Sequence, residues 1–184
     1  MKSTKEKHHH RGKSSESLLD KRVILNELNI LSGQTVLDAG CGNGYMAKEF
    51  ANQVKNSGKV YALDPDEISI DILNLESNNT VIEAFVGDIT KETKFNDSSI
   101  DLIYLSTVVH GFSEEQMNGF IKEVNRILKP NGKLAILEII KENTPFGPPL
   151  ELRLSPDELI KKIQLTPIKT TNIEKHFYLQ IFKK

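Results

Sequence analysis

With 184 residues, 38% hydrophobic composition and a formal net charge of −1, the chain has material for one well-filled α/β core plus an extension, and is too short for two cores. That balance excludes the basic excess by which a whole surface attracts nucleic acid. No apolar run approaches the ~20 residues that span a bilayer, and the lysine-rich start lacks the apolar segment of a signal peptide, so a cytoplasmic protein is expected.

Met1–Lys13 holds four lysines, one arginine and three histidines among few apolar residues, which predicts a basic, flexible tail over residues 1–15. Three consecutive histidines, His8 to His10, do not converge on one ion, and no cysteine or acidic ligand pattern accompanies them. No metal site is expected. Residues 16–184 are expected to form a single domain, opening with a helix over 16–31. Its Leu18, Leu19, Val23, Ile24, Leu28 and Leu31 recur at helical spacing, a stripe to be packed near a ligand cleft.

Next comes Val36-Leu37-Asp38-Ala39-Gly40-Cys41-Gly42-Asn43-Gly44, which predicts a buried strand turning tightly into a helix. Alternate glycines permit positive φ and close backbone approach, and the helix start presents unpaired N–H groups, a grip for a nucleotide-like cofactor. The dinucleotide fingerprint puts its third glycine three residues after the second. Here that position is Tyr45, the third glycine is Gly44, and Asp38 would repel a pyrophosphate. S-adenosylmethionine (SAM) has no phosphate. It carries an ammonium, a carboxylate and a sulfonium, which suit an acid beside N–H donors. Cys41, the single cysteine, can form no internal disulfide and reads as a small packing residue rather than a reactive thiol.

The order Asp-x-Gly-x-Gly-x-Gly resembles motif I of the class I SAM-dependent methyltransferases. That resemblance implies cofactor contacts from Asp38, Ala39, Gly40, Cys41, Gly42 and Gly44. It also implies an acid ending the next strand. Lys59–Asp64 supplies Asp64 as the ribose ligand, at about the offset where dinucleotide folds place theirs, and Pro65, expected to touch the cofactor too, turns the chain into a helix near Asp66. The third strand, Thr80–Val86, runs into Gly87-Asp88-Ile89, where the family places an acid for the adenine amino group and a backbone contact to the ring. The fourth strand, Ile100–Ser106, brings Ser106 to a loop under the cofactor. A helix then ends in Leu128-Lys129-Pro130-Asn131-Gly132, and a fifth strand covers Lys133–Glu138. The resemblance is close over residues 33–140. It implies an α/β, Rossmann-like, doubly wound seven-stranded sheet, mostly parallel, with one antiparallel strand near the edge and helices on both faces. It implies methyl transfer from SAM, with S-adenosylhomocysteine (SAH) as product.

Residues 141–184 are expected to supply a lid loop, a helix capped by Ser155 with Pro156 in its first turn, and a closing hairpin over 167–172 and 177–182. The stretch Gly147–Pro156 looks like one in small type-11 methyltransferases grouped with the quinone-biosynthesis enzymes. Ligands in open α/β sheets bind outside the carboxyl ends of the strands, so the post-strand loops are the shortlist for substrate chemistry. His110 reads either as a general base or as a residue packed on the following helix. Glu138 reads either as a substrate-orienting group or as one that binds the loop backbone, and Arg153 as a clamp for an anionic substrate or as a surface ion pair. A small-molecule acceptor is expected, since no added RNA-binding module is recognisable. A protein or ribosome-associated methyltransferase, and a non-catalytic SAM or SAH binder, are the alternatives.

Overall fold

In the computed structural model residues 19–184 are described, so the basic tail and the first residues of the expected opening helix lie outside them. The opening helix, α1, spans Lys21–Leu28 and is shorter than its apolar stripe. The Asp20 carboxylate accepts the Arg22 N–H at its start, and Asn29 takes a left-handed conformation at its end. Ile24 and Leu28 are buried while Val23 and Leu31 stay exposed. The stripe is thus borne out at Ile24 and Leu28 and corrected at Val23 and Leu31, and the periodicity did not show where the caps fall.

Strands and helices then alternate: β1 (Thr35–Ala39), α2 (Tyr45–Val54), β2 (Lys59–Asp64), α3 (Glu67–Glu76), β3 (Ile82–Val86), β4 (Ile100–Ser106), α4 (Glu114–Ile127), β5 (Leu128–Ile139), α5 (Pro156–Lys162), β6 (Thr166–Ile173) and β7 (Phe177–Lys183). The sheet has the order β3-β2-β1-β4-β5-β7-β6. Strands β1 to β5 pair in parallel, and β7 runs antiparallel to both β5 and β6. The expected mostly parallel seven-stranded sheet, with one reversed strand near the edge, is the fold observed.

Alternation along each strand divides the core between two faces. Leu102 and Tyr104 of β4 pack with Ile24, Phe50, Val54 and Leu73 of α1 to α3, whereas Ile103 and Leu105 face Phe120, Val124 and Ile127 of α4 and Leu159 of α5. The fifth strand starts earlier than expected, because Leu128 pairs with Ile100 before the register breaks and resumes with Lys133 opposite Leu102. The Lys-Pro-Asn-Gly segment makes that break, with Asn131 at φ +66°. It is fastened by Lys129 Nζ, 2.7 Å from an Asp101 carboxylate oxygen that also accepts the Thr35 N–H at 2.8 Å. Since β1 to β5 are parallel, their carboxyl ends gather Asp38, Asp64, Ser106 and Glu138 on one side of the sheet.

Candidate functional site

The loop after β1 is held by its neighbours and by the Asn43 side chain, whose Oδ1 accepts the Tyr45 N–H at 3.1 Å. Gly40 and Cys41 both donate to the Leu63 carbonyl, at 2.7 and 3.2 Å, so the loop turns over the end of β2. Gly40 has φ +76°, and a Cβ there would lie 2.6 Å from Val108 Cγ2. Only glycine lets the loops after β1 and β4 meet. Gly42 is also left-handed, at φ +51°, yet a Cβ on it would meet nothing within 4 Å. The space above Gly42 is that of a cradle rather than a packed turn.

Asp64 closes the cradle from β2. Its Oδ2 accepts the Gly42 N–H at 2.9 Å and its Oδ1 accepts the Asp66 N–H at 2.8 Å. Each carboxylate oxygen retains acceptor capacity beyond one such bond. Pro65 is exposed at the turn, and Asp66 caps α3 by accepting the Ser69 N–H. Asp38 is buried at the end of β1, 3% exposed, with Ala39 fully buried beside it. Burial, reinforced by the negative charges of Asp38 and Asp64, pushes the Cys41 thiol up, so it stays protonated. Cys41 is a packing residue, its Sγ 3.7 Å from the Gly42 carbonyl oxygen. Gly44 is the N-cap of α2 at φ +76°, pressed so close to α3 that a Cβ would lie 2.4 Å from Leu73 Cδ1.

After β3, one oxygen of Asp88 accepts both the N–H and the hydroxyl of Thr90, at 2.9 and 2.7 Å. This turn fixes the carboxylate beside Ile89, which is 4% exposed. After β4, Ser106 is half-buried and Thr107 sits at φ +55°, a left-handed conformation that β-branched residues rarely adopt. It is held by its N–H donating to the Leu137 carbonyl at 2.8 Å and its hydroxyl donating to Ser106 O at 2.8 Å. Thr107 and Val108 were not singled out from the sequence. Nothing in a Ser-Thr-Val-Val run signals a left-handed threonine, nor that Val108 meets Gly40.

The loop after β4 also carries His110. Its Nδ1 is 2.8 Å from Glu138 Oε2, and its backbone N–H donates to Glu138 Oε1 at 3.2 Å. Of the two readings of Glu138, the structure shows the one in which it binds the loop backbone: the carboxylate is 1% exposed, buried beneath the loop and turned to His110. Both readings of Arg153 are corrected. It is 5% exposed, and its guanidinium donates to the carbonyls of Pro148, Ile140, Glu142 and Phe146 and to the Thr144 hydroxyl. Every edge of the fork is occupied by the Pro-rich loop 140–148. The residue ties that loop to itself and forms neither a clamp facing the cleft nor a surface ion pair.

The arrangement therefore places two acids, a glycine cradle and loop N–H groups at adjoining strand ends, with a third acid at the turn after β3. That set suits a ligand bearing both signs of charge and a polyhydroxyl part, and it does not suit a pyrophosphate. Among the described residues no cluster of histidine, cysteine, aspartate and glutamate is placed to hold a metal ion. No described helix is long and apolar enough to cross a membrane.

Fold and cradle define a class I, Rossmann-like methyltransferase domain, and comparison with known proteins agrees. Residues 37–136 match the family described as "Methyltransferase domain", type 11. The chain belongs to that family. An uncharacterised methyltransferase from Synechocystis sp. is 29% identical over 136 residues, covering 71% of this chain and 59% of the relative. The ubiquinone/menaquinone biosynthesis C-methyltransferase UbiE of Laribacter hongkongensis is 28% identical, covering 72% and 54%. The chain thus spans between half and three-fifths of the length of these relatives. A SAM-dependent methyltransferase from Aquifex aeolicus superposes with a TM-score of 0.82 at 26% identity, covering 94% of this chain and 93% of that one.

Proposed function

We propose that the chain transfers a methyl group from SAM to a small-molecule acceptor. The observation that carries this reading is the open cradle above Gly42, closed on one side by Asp64. Bound there, SAM supplies an electrophilic methyl on a sulfonium, already an excellent leaving group. Asp38 and the loop N–H groups would hold the methionine end, Asp64 the ribose hydroxyls, and Asp88 with Ile89 the adenine. Ser106 and the loop that follows it would lie beneath the ligand. The remaining work is alignment and exclusion of water, which contributes up to roughly 7–11 kcal/mol in the best cases. His110 would accept a proton from the acceptor. A small acceptor is favoured by similarity to enzymes named for quinone biosynthesis.

Calorimetric titration with SAM and SAH, after mass spectrometry for copurified ligand, tests the cofactor. Micromolar or tighter binding is expected, and folded, ligand-free protein that binds neither would overturn the reading. Labelled-methyl transfer into the small-molecule fraction of a cell extract tests the acceptor class, and label appearing only in protein would redirect it. His110→Ala is expected to leave SAH affinity unchanged while slowing transfer.

A further inference from the structure

Glu138 is buried to 1% exposure at the end of β5, yet both its oxygens are spent on one residue of another loop, the backbone N–H and the Nδ1 of His110. A buried carboxylate accepts hydrogen bonds, so its partner nitrogen carries the proton. The imidazole keeps 18% of its surface open. With Nδ1 engaged by the buried acid, Nε2 is the ring nitrogen outside that bond. We propose that Glu138 is a positioning residue: it holds His110 as the Nδ1–H tautomer, leaves the unprotonated Nε2 facing the cleft as proton acceptor, and thereby fits the site to acceptors that surrender a proton, hydroxyl or carbon acids.

This inference rests on the methyltransferase reading above. In the step it implies, an oxygen lone pair of a hydroxyl acceptor, or the C–H pair of a carbon acid, would form the new bond to the methyl carbon, and the proton would pass to Nε2, the O–H pair staying on oxygen. The C–S pair stays with sulfur as SAH leaves. The imidazolium so formed is stabilised across the Nδ1–H bond by the Glu138 charge. The Tyr178 hydroxyl near Glu138 does not compete for the proton. Tyr178, opposite Glu138 in the β5–β7 register, donates its hydroxyl to Leu154 O at 2.8 Å. Burial, with the charges of Glu138 and Glu158 added, pushes that hydroxyl up, so it remains neutral. A thiolate acceptor, already deprotonated, would need none of this apparatus.

The test uses ring-¹⁵N-labelled full-length protein, with His110→Asn to assign the His110 signals, observed where the imidazole is neutral. Wild type is expected to show the Nδ1–H tautomer. Glu138→Gln, whose amide N–H can donate to Nδ1, is expected to shift the tautomer ratio toward Nε2–H by about tenfold or more and to lower methyl transfer into the extract's small-molecule fraction. SAH affinity by calorimetry and thermal unfolding report that the cradle and fold are intact. A wild-type ring in the Nε2–H form, or a shifted tautomer with undiminished transfer, would overturn the proposal. Absence of SAH binding in wild type, with the ring still Nδ1–H, would bring down the methyltransferase reading and with it the use of Nε2, while leaving the orientation by Glu138 standing.

Discussion

Among single residues, Asp64 has two jobs, and they explain why an acid ends β2. It is an acceptor for the N–H groups of Gly42 and Asp66 in the protein itself, and under the proposed function it also accepts from the ribose. Asp64→Ala is expected to weaken SAM binding by ~1–3 kcal/mol through lost charge-assisted bonds. Unchanged affinity in calorimetry would remove the ribose assignment. The glycines divide in a similar way. Gly40 and Gly44 are required by Val108 and Leu73, which crowd them, while Gly42 faces open space. Sequence spacing marks all three alike.

The loop segments are tied down by charged side chains at the scale of elements, some buried and some partly exposed. Arg153 bridges four carbonyls and a hydroxyl of the 140–148 loop. Arg153→Ala strands those carbonyls and is expected to cost about 3 kcal/mol, read by denaturant unfolding together with faster proteolysis within 140–148. Lysine is not expected to rescue it, because a point charge cannot span the fork. Arg126 binds Glu123 through Nε and Nη2, both 2.9 Å or less, and reaches the Thr93 and Phe95 carbonyls, fastening the segment before β4 to α4. At the start of α5, Lys141 and the Ser155 N–H hold the Glu158 carboxyl down to about 2. A carboxyl depressed in the folded state stabilises above its ordinary range, near 4.5, and loses that contribution as pH falls toward 2. The stability difference between wild type and Glu158→Gln is therefore expected to shrink over that window. A difference constant with pH would show the Lys141 pair to be inert.

For the whole molecule, a ligand seated across the ends of β1, β2 and β3 would add to the contacts that already join the loops there. Binding to the folded state alone stabilises by about 2.7 kcal/mol at a ligand concentration of 100 Kd. For a chain of this size that is a rise in Tm of about 5–10 °C. Thermal unfolding with SAH is expected to show such a rise in wild type and a smaller one in Asp64→Ala at equal concentration. A Tm independent of SAH would place the ligand elsewhere or nowhere.

The sequence by itself determined the strand order of chemistry: apolar runs ending in Asp38, Asp64 and Glu138, glycines at positions needing positive φ, and Ser155 capping α5 with Pro156 behind it. These signals are local, since a turn's φ, a cap and a strand's period are set by the residue that shows them. The caps of α1 escaped it because a stripe gives a face and not an end, and the early start of β5 because pairing with Ile100 depends on a distant strand. The partners of Arg153 and Glu138 were decided by tertiary structure alone. Both are charged residues beside loops: sequence reads Arg153 as facing a substrate or a surface partner, and leaves Glu138 open between substrate and the loop backbone. The fold buries them where unpaired charge is costly, so each is turned inward onto whatever polar groups its loop presents.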